Sequence, residues 1–170
     1  MSDNSNKSQI AAFIGEVKRC SATRIMDLGA EDPSLFLEIV EAADWASKIE
    51  LHCTGVVNEA FDQQLVDSAE NRATEFEVVK HVGSDSEVND AILELALLHP
   101  FDAAFISSSS SKEALLTSML VCHESLKLEG VLGLSSAVVA NPSLSDAISS
   151  FRDMLGDAYQ ERQDHIFVRV

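Results

Sequence analysis

Five histidines, three cysteines and one run of serines are the groups most able to do chemistry in this sequence of 170 residues. The histidines, His52, His81, His99, His123 and His165, show no metal spacing such as HxxxH. His99 precedes Pro100 at the end of an apolar-periodic segment, where capping the last helical carbonyls is the expected role. His81 falls on a β-branched run and reads as a core or rim residue. Cys20, Cys53 and Cys122 are far apart and lack any CxxC or His/Cys cluster, so neither a zinc site nor a disulfide framework is indicated. The run Ser107–Ser111 followed by Lys112 has the ingredients of an anion cradle: hydroxyls, a helix N-terminus and a lysine. It lacks glycine and the Walker spacing, however, and reads better as a loop capping the next helix.

Alternating elements must position these groups. Met1–Ser8 is polar, without the layout of a signal peptide, and reads as a disordered lead to one domain over 9–170. A helix with Ile10, Phe13, Ile14 and Val17 on one face covers about 9–19. Arg24–Leu28 is a short apolar strand ending at Gly29, and Asp32-Pro33 opens a helix carrying Leu35, Phe36, Ile39 and Val40. Strand-like runs at 49–54, 76–82, 101–106 and 130–134 then alternate with helical patterns. Tyr159–Arg162 and His165–Val170 leave no room for a helix between them, so Gln163-Asp164 must turn a hairpin. Strict β/α alternation demands a doubly wound α/β fold with a mostly parallel sheet and helices on both faces.

The length suits one domain with a proper core. Acidic residues number 28 against 12 basic ones, a formal net charge of −16. Such a field repels phosphate backbones and anionic lipid, which argues against nucleic-acid and membrane partners. No apolar run reaches membrane-spanning length. With the unpaired cysteines, this predicts a cytoplasmic protein of a reducing compartment.

Five βα units closed by a β-hairpin resemble the class I S-adenosylmethionine-dependent methyltransferases, and three motifs agree with the layout. Arg24-Ile-Met-Asp-Leu-Gly29 resembles the family's first motif, an apolar strand ending in acid-x-glycine. Pro100-Phe-Asp-Ala-Ala-Phe-Ile106 is similar to the fourth-strand motif of the catechol-type O-methyltransferase branch. Leu126-Lys-Leu-Glu-Gly130 resembles the turn before strand five. The resemblance covers about residues 9 to 170. It implies a Rossmann-like, seven-stranded sheet of order 3-2-1-4-5-7-6 with an antiparallel last strand, and S-adenosylmethionine as cofactor.

Carried over by position, the resemblance places Asp27 and Gly29 beside the methionine part of the cofactor. Gly83, Ser84 and Asp85 would lie near the adenine, and Ser107 near the sulfonium. A helix cap is the competing role for Asp85. Three departures point to a degenerate site. Pro33 stands where the family's loop has a further glycine. Strand two ends Cys53-Thr-Gly55, without the acid that accepts both ribose hydroxyls. Serines 107–109 and Ser135-Ser136 replace the carboxylates and amide of the catechol-type metal cage, so no metal is expected. The resemblance therefore implies weak cofactor binding, on the order of 0.1 mM or poorer. It leaves a metal-independent methyltransferase with a small-molecule acceptor, or an inactive module acting through binding or self-association as a homodimer.

Overall fold

A computed structural model describes residues 2–55, 58–163 and 165–170. In chain order the elements are α1 (Ser2–Arg19), β1 (Arg24–Leu28), α2 (Ser34–Ala42), β2 (Lys48–Thr54), α3 (Glu59–Ala69), β3 (Glu75–His81), α4 (Asp85–Leu98) and β4 (Phe101–Ile106). There follow α5 (Lys112–Ser125), β5 (Leu126–Leu134), α6 (Ser136–Val139), α7 (Ser145–Leu155), β6 (Tyr159–Gln163) and β7 (Ile166–Arg169). The seven strands form one sheet in the order β3-β2-β1-β4-β5-β7-β6, the Rossmann-like methyltransferase order. The first five strands run parallel, and β7 is antiparallel to both of its neighbours.

The two faces of the sheet carry separate cores. Phe13, Ile25, Phe36, Ile49, Leu51 and Phe105 belong to the face covered by α1, α2 and α3. Met26, Ile92, Phe101, Met119, Leu132 and Phe151 belong to the face covered by α4, α5 and α7. Gly133 on β5 makes the first packing possible. A Cβ there would meet the Phe105 ring at 2.7 Å and the Phe13 ring at 2.8 Å. Those two rings lie against each other with centroids 4.9 Å apart.

Several boundaries differ from the sequence expectation. α1 begins at Ser2, so residues 2–8 are helical where a disordered lead is expected; Met1 lies outside the described residues. No helix breaker occurs in that stretch, and Asn6 Oδ1 accepts from Ser136 Oγ (3.3 Å), which ties the first turns to α6. α2 starts one residue beyond Pro33, and the Asp32 carboxylate accepts from Ser34 N (2.8 Å). β5 begins at Leu126 rather than Gly130 because Leu126 pairs with Phe101 before the register slips around Asp102.

Asp102 explains that slip. Its Oδ2 accepts from the backbone of Thr23 (2.7 Å) and Arg24 (2.9 Å), and its Oδ1 pairs with Lys127 Nζ (2.5 Å). Burial opposes its charge, but Lys127 and the two amides hold the carboxyl below the usual carboxylate range. The aspartate of the fourth-strand motif is thus a bracket at the amino end of the sheet, at the opposite end from any cofactor site.

Candidate functional site

Strand order reverses between β1 and β4, and open α/β sheets bind ligands beyond the carboxyl ends of their strands at such a point. Here a seam of serines crosses it. Ser107 N donates to Leu28 O (2.9 Å) and Ser107 Oγ to Asp27 Oδ1 (2.6 Å). Ser108 Oγ donates to Gly29 O (2.8 Å), and Ser135 Oγ to Ser107 O (2.7 Å). The carboxyl ends of β1, β4 and β5 are thereby stitched together.

Gly29 adopts φ +72°, and a Cβ on it would stand 2.5 Å from Ser108 O. Glycine is required here because the chain's own backbone passes close by. Gly29 N donates to Thr54 Oγ1 (3.0 Å), which locks the β1–α2 turn onto the end of β2.

Cavities lie on either side of the seam. The larger, of about 480 Å³, sits over β1, β2 and β3 and is lined by Gly29, Thr54, His81, Gly83, Asp85 and Ser108 among others. Its volume falls within the usual range of small-molecule sites. The smaller, of about 150 Å³, is lined by Glu31, Asp32, Phe105, Ser107, Ser135 and neighbours from α1.

The six residues expected at the cofactor therefore divide. Gly29, Gly83 and Asp85 line the larger cavity, and Ser107 lines the smaller. Ser84 is the N-cap of α4, forming a capping box in which Glu87 Oε2 accepts from Ser84 N (2.8 Å). Asp85 opens the helix behind that cap. Asp27 lines neither cavity and is 2% exposed. Burial pushes its carboxyl up to about 8; the Ser107 hydroxyl pulls the other way.

Residues outside those six complete the site. Thr54 and His81 stand in register at the ends of β2 and β3, and both line the larger cavity. His52 Nδ1 lies 3.1 Å from His81 Nε2, and His52 Nε2 lies 3.4 Å from Glu50 Oε2. Only strand register brings these groups together, since His52 and His81 are far apart in the chain. Glu59 opens α3, which Asn58 caps through Phe61 N. Among the described residues no three His, Cys, Asp or Glu side chains gather to hold a metal ion. Likewise, no helix there is long and apolar enough to cross a membrane.

This fold is that of S-adenosylmethionine-dependent O-methyltransferases. A caffeoyl-CoA O-methyltransferase-like protein from Staphylococcus aureus superposes with a TM-score of 0.62 at 11% identity, over 95% of this chain and 82% of that one. The O-methyltransferase of Bacillus cereus, solved with S-adenosylhomocysteine, gives 0.62 at 12% identity, over 96% and 81%. The MycE methyltransferase of mycinamycin biosynthesis, solved with Mg and S-adenosylhomocysteine, gives 0.60 at 10% identity, over 94% and 48%. No family model matches the sequence, and no curated protein matches it.

Proposed function

We propose that this chain binds S-adenosylmethionine or its demethylated product weakly and without a metal, through the nucleoside half alone. One observation carries the reading: Ser108 packs on Gly29, with Ser108 O 2.5 Å from the position of a Cβ. The seam divides what a methyltransferase needs as one continuous cleft. The larger cavity suits a nucleoside, its wall offering the Thr54 and Ser108 hydroxyls and the Asp85 carboxylate. A methionine moiety would have to cross the seam, and that costs the Ser108–Gly29 hydrogen bond. The protein then acts as a binding module of the methyltransferase fold. A homodimer belongs to this proposal, with the exposed Leu97 and Leu98 of α4 as its apolar contact.

A second reading, a metal-independent methyltransferase acting on a small molecule, is favoured by the cavity beyond the seam. That cavity borders Ser107 and gives an acceptor a place to sit. Catalysis there would be positioning of the acceptor, with the seam opened. Calorimetry with S-adenosylhomocysteine, with and without magnesium, tests the proposal. Binding near 0.1 mM or poorer, unchanged by magnesium, supports it. Micromolar binding, or binding improved by magnesium, overturns it. Light scattering after size exclusion that reads a monomer at high concentration removes the homodimer.

A further inference from the structure

The larger cavity has one wall whose hydrogen-bonding sense is set from outside the cavity. Glu50, His52 and Thr54 alternate along β2 and so share one face of the sheet, and register places His81 beside Thr54 on that face. Arg24 Nε bonds Glu50 Oε2 (2.8 Å) and keeps that carboxylate charged, although burial works against it. A carboxylate can only accept, so the 3.4 Å contact to Glu50 favours the His52 tautomer with its proton on Nε2. Its Nδ1 is then a lone pair, and the 3.1 Å contact requires that His81 Nε2 donate to it. The two rings are inclined by only 17° with centroids 5.4 Å apart, the edge-to-edge arrangement of an in-plane N–H···N bond.

His52 is 3% exposed and packs at right angles to the Phe101 ring, at 4.9 Å between centroids. Burial pushes both imidazoles below the ordinary histidine value, which keeps the pair neutral at neutral pH. The charged groups around the pair are Glu50 and Arg24 behind it, Asp85 on the cavity wall, and Lys80 beside His81. Lys80 is held by Asp62 (2.5 Å).

We propose that His81 is the ligand-recognising acceptor of this cavity: the Glu50–His52–His81 relay fixes its tautomer so that an unprotonated Nδ1 receives a hydroxyl or amine proton of the ligand. His52 and Glu50 are positioning residues. Among the described lining residues there is no lysine or arginine, so an anionic ligand has no counter-charge. The ligand class is therefore a non-anionic molecule rich in hydroxyl or amine donors, such as a nucleoside. The inference rests on the nucleoside reading of the cavity for its choice of probe; the tautomer order stands on the relay alone.

The test is long-range proton–nitrogen correlation on 15N-histidine-labelled protein at pH 7.5, with adenosine as the probe. Expected are Nε2–H tautomers at both His52 and His81, and a shift of the His81 Nδ1 resonance when adenosine binds. His81→Phe is expected to weaken adenosine about five- to tenfold. Glu50→Ala, at a half-exposed position, is expected to release His81 into a mixture of tautomers, and His52→Phe to do the same. An Nδ1–H tautomer at His81 overturns the proposal. So does an unchanged tautomer in a folded Glu50→Ala protein, or bound adenosine that leaves His81 Nδ1 unmoved. The expected tautomers together with no adenosine binding support the relay and bring down the nucleoside reading instead.

Discussion

Ser107 Oγ donates to Asp27 Oδ1 at 2.6 Å, joining the first residue beyond β4 to a carboxyl buried near the end of β1. The resemblance places that carboxyl beside a cofactor; in the structure it is buried against Ser107 of its own chain. Its desolvation has a consequence for stability.

Burial pushes the Asp27 carboxyl up to about 8 from an ordinary 3.8. A carboxyl shifted upward contributes its full stability below the unfolded value and loses it as pH rises through the folded one. Between about pH 4 and pH 8 it is expected to cost up to about 1.4 kcal/mol per pH unit. Asp27→Asn removes that slope, and the variant is expected to exceed the parent by a few kcal/mol at pH 8. Urea unfolding of both proteins from pH 5 to pH 9 measures the difference; parallel curves would refute it.

Asp102 shows the opposite sign. Its folded pKa is depressed, so its contribution is present above the unfolded value and is lost as pH falls through the folded one. Asp102→Ala strips two backbone amides and Lys127 of their acceptor at the amino end of the sheet. A loss of about 2–4 kcal/mol is expected in denaturant unfolding at pH 7.

Gly133 has no room for a methyl group between Phe13 and Phe105. Gly133→Ala is expected to destabilise by about 1–3 kcal/mol through overpacking. The double variant Gly133→Ala with Phe13→Leu should recover part of that loss, because it frees the space the new methyl needs.

Ser108→Ala removes the hydroxyl that bonds Gly29 O and loosens the seam between the two cavities. S-adenosylhomocysteine is expected to bind about three- to tenfold more tightly, roughly the worth of one net hydrogen bond. Equal affinity in calorimetry would show that the seam is no barrier to the ligand.

The sequence by itself determined the layered α/β architecture. Apolar runs such as Arg24–Leu28 and Phe101–Ile106 alternate with helical stripes such as Leu35, Phe36, Ile39 and Val40, and that rhythm admits little else. The seven-strand order rested on the resemblance, and the sheet has it. Gly29, Gly83 and Asp85 were legible as neighbours because each follows a strand's carboxyl end. Local polarity misled at residues 2–8, where nothing in the composition announced the Asn6–Ser136 hydrogen bond that anchors those helical turns. Tertiary structure alone decided the chemistry of the site. Whether Asp27 faces a ligand or Ser107 depends on where the β4–α5 loop lies, and that loop is positioned by contacts to Gly29 and Ser135 from distant parts of the chain. The Glu50–His52–His81 relay depends on the register of β2 against β3. A one-residue slip would send every side chain of β3 to the other face of the sheet, and spacing within one strand says nothing about its partner.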